Sequence, residues 1–232
     1  MRKVFALLAT RADQMVDIDT IAEELWERRI PASAVTTIRT HVYHLRRMLA
    51  EEAGMPAVAA ALTTDAAGYR LRLAPGQLDA CEFDSRMDRG RRALTAGRAE
   101  EASRLLHSAL ALWRGAALAN MPVGTVLSRY VAHLTEQRIR ALELQIEADL
   151  RLARHRELMP QLRGLVAAHP LNEWFHIRLI EVLQRCGRRA EALDEIRLMR
   201  QLLADELGLE LPAEVHRLQQ EILSGTRFGV AV

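Results

Sequence analysis

Residues 33–49 bring together the side chains best suited to chemistry with a partner. Thr36, Thr37, Arg39, Thr40, Tyr43, His44, Arg46 and Arg47 share one side of a predicted helix. Its other side carries Val35, Ile38, Val42, Leu45 and Leu49, at the steps of three and four that make a buried stripe. The polar side holds no acid, in a chain with 30 Asp and Glu. Hydroxyl and guanidinium groups at this spacing suit the DNA major groove. Arginine forks pair with guanine edges, while threonine, tyrosine and arginine hold phosphates. Arg46 and Arg47 lie at the C-terminal end of the helix, where phosphate contact is expected rather than base reading. Taken alone, the same pattern equally fits an amphipathic helix with a solvated basic face.

Other chemistries find less support. His41 and His44 have metal-compatible spacing on a helix, but no nearby carboxylate or cysteine completes a site, so no metal is expected. The chain shows no nucleophile–base pair, phosphate loop or carboxylate constellation, and it reads as a non-enzyme without a cofactor. Trp113, Trp174 and Phe175 could line a ligand pocket, although core packing between helical hairpins is the better expectation. Asp205, Glu206 and Glu210 fit either a basic partner surface or helix-end charges. Cys81 and Cys186 lie far apart and read as reduced, half-buried thiols.

The elements that position the basic face follow from periodicity. A short helix is expected over about 2–10. A second follows Asp17, a candidate N-cap, with Ile18, Ile21, Ala22 and Leu25 on one face. Pro31 breaks the chain, and Ser33 can cap the third helix, which runs to about Ala50. The period then changes. Leu62-Thr63-Thr64 reads as a strand and Asp65 to Gly68 as a turn. From Tyr69 to Leu73, Tyr69, Leu71 and Leu73 alternate with Arg70 and Arg72. A helix-turn-helix followed by a wing bearing Arg70 is a combination, and it favours DNA binding over the bland reading of the helix.

Pro75-Gly76 marks the domain boundary. Helices are expected near 80–96, 98–113, 126–153, 157–168, 172–186, 189–205 and 212–223. Turns at Gly97-Arg98, Arg154-His155 and Gly187-Arg188 recur, the last two near the ~34-residue tetratricopeptide period. The fold class is therefore mainly α. A winged helix-turn-helix with a small β-hairpin occupies 1–75, and an all-α tetratricopeptide-like domain occupies 76–225.

The 232 residues suit two domains, and a net charge of +2 means that nucleic-acid affinity must come from a local patch. Lys3 is the sole lysine among 32 Lys and Arg. With abundant alanine and leucine, this is the bias of a GC-rich genome, such as an actinomycete's. No apolar run approaches membrane-spanning length, and Arg11 and Asp13 interrupt the apolar start too early for a secretory signal. A cytoplasmic location without membrane contact is expected.

Residues 2–73 resemble the DNA-binding domain of OmpR-type winged-helix proteins. Leu25-Trp26, Pro31-Ala32-Ser33, the run from Leu45 to Leu49, and Gly68-Tyr69-Arg70-Leu71 resemble the Streptomyces antibiotic regulatory protein family. Further along, Leu78-Asp79-Ala80 with Phe83, the run from Ala109 to Gly115, Ile146 to Leu150, His169-Pro170-Leu171 and Leu203 to Gly208 resemble that family's bacterial transcriptional activator domain. The resemblance implies a transcriptional activator that binds double-stranded DNA at tandem direct repeats near a −35 region, usually as a side-by-side pair. It also implies recruitment of RNA polymerase holoenzyme through its sigma factor and other subunits, switching on a secondary-metabolite gene cluster. Family members begin with a short β-platform. Here the first helix starts at once, so Phe5, Leu7 and Leu8 are expected on an uncovered apolar surface. The competing function is a helical-repeat scaffold for a protein or small ligand, with a vestigial DNA-binding domain.

Overall fold

The computed structural model describes residues 1–52 and 56–224. The chain divides into two compact units, residues 1–145 and 146–232.

The first unit begins with α1 (Arg2–Thr10), β1 (Met15–Asp17), α2 (Ile18–Trp26) and α3 (Ala34–Arg47). A π-helical turn (Met48–Glu52), α4 (Pro56–Ala61), β2 (Leu62–Thr64) and β3 (Gly68–Leu71) follow. Asp17 caps α2 as expected: its carboxylate accepts from the Thr20 amide at 2.7 Å and the Thr20 hydroxyl at 2.9 Å. Those hydrogen bonds hold the Asp17 carboxyl below the usual range. Ser33 does not cap α3. Its ψ of 4° is turn-like, not the extended geometry from which a cap hydroxyl reaches back.

The buried stripe of α3 differs from expectation only at its first position. Ala34 is 5% exposed and Val35 is 41% exposed. At about 100° per residue, Ile38, Val42, Leu45 and Leu49 span about 60°, with Ala34 and Val35 each about 20° beyond its opposite edges, and the core meets the Ala34 edge. Regular α-helix ends at Arg47 rather than near Ala50 because the next turn widens to π geometry.

The sheet has three strands in the order β1-β3-β2, both pairings antiparallel. The hairpin β2–β3 is present as expected, but β3 begins at Gly68, a residue expected in the turn, and ends at Leu71 rather than Leu73. β1 is an addition to it, because its three residues declare themselves only by pairing with β3, Val16 opposite Tyr69 and Asp17 opposite Gly68. A Cβ on Gly68 would stand 2.0 Å from the Val16 carbonyl oxygen, so this crossing requires glycine. Tyr69 and Leu71 face inward and Arg70 outward, as their alternation predicts.

Phe5, Leu7 and Leu8 do not form an uncovered surface. Leu7 is 1% exposed, Leu8 is 0% exposed and Phe5 is half-buried. They share one core with Ile21, Ile38, Leu45 and Leu71. Leu127 is buried in the same core, and Leu118, Met121, Val123 and Val126 pack against it. Residues 118–127 therefore help to cover α1.

The rest of the first unit is the hairpin of α5 (Asp79–Thr95) and α6 (Ala99–Leu110), then the start of α7 (Thr125–Arg151). Gly90 lets the hairpin close, since a Cβ there would lie 2.7 Å from Leu106 Cγ. Phe83, Ala109 and Ala141 form a small core, with the Trp113 ring edge-on to Phe83 at 5.5 Å.

The second unit contains α8 (His155–Ala168), α9 (Glu173–Arg185), α10 (Arg189–Leu207) and α11 (Ala213–Ser224), with α8 and α10 both packed on α9. The expected domain end at 225 lies outside the described residues. The helix spans match the periodicity, and so do the repeated turns, with one adjustment. Gly97, Ala153 and Gly187 take the left-handed conformation with φ of 75°, 57° and 77°. In each case the next arginine amide bonds a carbonyl five residues back: Arg98 to Ala93, Arg154 to Asp149, Arg188 to Leu183. The middle turn is thus Ala153-Arg154, an alanine where its counterparts have glycine. Phe175 is core, whereas Trp174 is half-buried. Both cysteines are free, Cys186 half-buried and Cys81 exposed, contrary to the expectation for Cys81. Among the described residues no helix is long and apolar enough to cross a membrane.

Candidate nucleic-acid interface

The outward face of α3 is fixed from below. Ile38, Val42 and Leu45 are fully buried, so the helix cannot roll without exposing them. On the opposite side Thr36, Arg39, Thr40, Tyr43, His44 and Arg47 are exposed and Thr37 is half-exposed. Tyr43, at 62% exposure, sets its ring edge-on to His44 at 5.4 Å. An exposed aromatic ring beside threonines and arginines suits contact with a sugar–phosphate backbone. The Thr37 and Thr40 hydroxyls donate to the Ser33 and Thr36 carbonyls, leaving their oxygen lone pairs outward as acceptors.

The arginines differ in what holds them. Among the described residues Arg39 has no hydrogen-bond or ion-pair partner, so its fork is available. Arg47 pairs loosely with Glu51 of the π-helical turn at 3.4 Å, with both side chains more than half exposed. Such a pair is worth little in water and exchanges readily for a phosphate. Arg46 is turned inward. Its Nε and Nη2 donate to the Leu62 carbonyl at 3.0 and 2.6 Å, and Nη2 also reaches Thr64 Oγ1 at 3.0 Å. It clamps α3 to the first strand of the wing. Arg70 lies on the wing, where Nη2 pairs with Asp65 of the β2–β3 turn at 3.2 Å.

His44, Arg46 and Arg47 occupy the last turn of α3, where positive charge also complements the helix dipole. His41, behind this face, is pushed below its ordinary pKa by burial, then by the N-terminal amine and His44, which favours a neutral ring at physiological pH. Among the described residues no group of three or more His, Cys, Asp or Glu is placed to hold a metal.

Two features escape sequence reasoning. Arg28 and Arg29 are exposed in the turn between α2 and α3, where their adjacency is the available signal. Glu24 is completely buried. Its Oε1 accepts from the Gly124 amide at 2.5 Å, and its Oε2 accepts from Val126 at 3.1 Å and Leu127 at 2.9 Å. The carboxylate of α2 thus caps α7 from about a hundred residues away. Its signal is an acid three residues after Ile21, on the apolar side of α2, but the partner is invisible in sequence.

Two family models match successive parts of the chain. Residues 1–71 match the family model described as Transcriptional regulatory protein, C terminal. Residues 78–223 match the Bacterial transcriptional activator domain. The chain is 37% identical over 225 residues to Regulatory protein DnrI of Streptomyces peucetius, covering 96% of this chain and 83% of DnrI.

The chain belongs to the Streptomyces antibiotic regulatory protein family.

Transcriptional regulator RedD of Streptomyces coelicolor is 32% identical over 224 residues, spanning 97% of this chain and 64% of RedD. The chain also matches 22% of the length of Regulatory protein AfsR from that species. Among solved structures, Mycobacterium tuberculosis EmbR in complex with a low-affinity phosphopeptide superposes with a TM-score of 0.89 at 28% identity, over 98% of this chain and 60% of EmbR. Membership in this family makes the chain a DNA-binding transcriptional activator.

Proposed function

We propose that the chain activates transcription by binding tandem direct repeats near a promoter −35 region as a side-by-side pair. From there it recruits RNA polymerase holoenzyme, sigma factor included, to a secondary-metabolite gene cluster. Arg39, with Thr36 and Thr40 beside it, reads base edges in the major groove. Thr37, Tyr43, His44 and Arg47 hold the backbone, and Arg70 brings the wing to the flanking phosphates. Arg46 serves by fixing the angle between α3 and the wing. The observation that carries this reading is the acid-free, outward face of α3, with an unpaired Arg39 at its centre, mounted on a rigid apolar stripe.

The domain division proposed is 1–75 for DNA contact and 76–225 for activation. Because a single winged helix covers little DNA, two adjacent copies gain by acting together. The test is reconstituted transcription from a template carrying the repeats, compared with templates in which one repeat is scrambled or the spacing is lengthened by half a helical turn. Activation should be lost on both altered templates. Equal activation from all three would overturn the tandem-repeat reading.

A further inference from the structure

Within residues 1–145 there is a cavity of 420 Å³ that the DNA-reading surface does not use. Its walls come from the end of α1 (Thr10), the start of α5 (Leu78, Phe83), the loop after α6 (Trp113, Leu118) and α7 (Tyr130). The volume lies in the lower part of the ~300–1,000 Å³ range of small-molecule sites, which are mostly apolar with a few polar groups. The aromatic corner is preformed. Trp113 meets Phe83 edge-on at 5.5 Å, and the Arg138 guanidinium lies 4.9 Å from the centre of the indole ring. A ring system entering the cavity would find edges and faces already in place.

The polar groups narrow the class of ligand. The charged residues lining the cavity are Asp79 and Arg114, and they pair with each other at 3.1 Å. Their charges are opposite and both side chains are more than half exposed, so neither is a buried charge that would select an ionic ligand. Tyr130 and Asn120 bring an O–H and an amide. Burial pushes the Tyr130 phenol up to about 12, helped by the nearby Asp84, Cys81 and Asp79. It therefore remains a hydrogen-bond donor throughout the physiological range.

The cavity wall also continues into the reading domain. Leu118 lines the cavity and packs against the core that holds α1, α2 and α3. It does so with a φ of 54°, a left-handed conformation costly for a leucine and sustained only by its surroundings. Six residues later the same stretch of chain reaches Gly124, whose amide is held by Glu24.

We propose that this cavity binds a small, uncharged, planar aromatic molecule bearing a hydrogen-bond acceptor, and that its occupancy is transmitted through Leu118 to the Glu24 contact. A bound ring that presses on Leu118 orders residues 118–124 and so tightens the cap on α7. The effect belongs to the chain whether or not DNA is present.

The probe is 6-fluoro-2-naphthol, titrated into the full chain and followed by fluorine NMR. Amide hydrogen exchange at Gly124, Val126 and Leu127 is measured with and without the probe. Ala80→Leu and Ala117→Leu, each placing a larger side chain on the lining, provide two independent blocked forms, both checked for an unchanged melting temperature. The expected result is saturable one-to-one binding, weakened at least tenfold in whichever blocked form keeps its fold. Exchange at the three amides should slow at least threefold in the parent only. Absence of saturation, or binding that survives the blocking substitutions, would overturn the site. Binding without a change in exchange would overturn the transmission to Glu24. Neither readout uses DNA, so failure here is distinct from failure of the DNA-reading proposal.

Discussion

Replacing Glu24 by alanine should cripple the first unit, although the residue touches no DNA. The carboxylate is completely buried and satisfies three backbone amides at 2.5, 3.1 and 2.9 Å. A hydrogen bond to a charged group contributes about 1.5–3 kcal/mol, and a buried donor left without a partner costs about 1–3 kcal/mol. The three contacts share one carboxylate that must also be desolvated, so they do not add in full. Removing one side of a buried charged contact costs about 3–5 kcal/mol, which is the expected loss here. Glu24→Gln keeps the length and one acceptor oxygen but turns an NH₂ group toward amide donors, so it should fall between parent and alanine. Gly124→Ala attacks the same contact from the other side, because its Cβ would stand 2.3 Å from the Glu24 carbonyl oxygen. The two single losses should therefore be far from additive in the double variant. The assay is urea denaturation followed by circular dichroism, with the half-buried neighbour Glu23→Ala as the control, expected within about 0.5 kcal/mol of the parent. The same reasoning predicts that a fragment ending at residue 75 folds poorly, since it lacks the three donors and Leu127. A Glu24→Ala loss below about 1 kcal/mol, or a fragment as stable as the intact first unit, would refute the argument.

Arg46→Ala should weaken DNA binding while lowering the melting temperature, because three hydrogen bonds to Leu62 and Thr64 are lost. Arg39→Ala should leave stability unchanged, and calorimetry on both variants separates the two roles. Ala153→Gly should stabilise the second unit. The left-handed conformation costs an L-residue about 1–2 kcal/mol, glycine's extra freedom when unfolded returns about 0.4–1, and the net is a melting temperature a few degrees higher in a thermal scan. His176 is buried with its ring nitrogens 2.6 Å from Glu195 and 2.9 Å from the Pro170 carbonyl. Burial opposes its charge, but these bonds and the Glu195 charge lift its pKa above the ordinary value. A raised folded pKa stabilises fully below the unfolded value near 6.5 and loses that contribution as pH rises through the folded value. The melting temperature of the second unit should therefore fall as pH rises above about 6.5, and His176→Gln should flatten that dependence.

Much of this is legible in the sequence, for reasons that particular residues make clear. Ile38, Val42 and Leu45 announce a helix with one buried side, and everything opposite them is exposed because a helix has only that other side to offer. The turns at Gly97 and Gly187 are visible because glycine marks left-handed backbone. The equivalent turn at Ala153 is read one residue late because alanine gives no such mark. Short-range rules do not reveal β1, whose three residues acquire meaning only from Gly68 and Tyr69. Arg46 reads by its chemistry as a DNA contact, because nothing local shows that the Leu62 carbonyl lies within its reach. Glu24 and the cavity around Trp113, whose walls run from Thr10 to Tyr130, each depend on residues about a hundred positions apart, which only the folded chain brings together.

The most direct test of the central claim is a fluorescence anisotropy titration of an operator duplex selected from a randomised pool by the parent chain, repeated across a salt series. Arg39→Ala should bind the selected operator about 5–150-fold more weakly, the equivalent of about 1–3 kcal/mol, and lose preference at one base position. Arg47→Ala should bind all sequences more weakly and reduce the salt slope by about one contact. If both variants bind the selected operator with the affinity, preference and salt slope of the parent, α3 is not the helix that reads DNA.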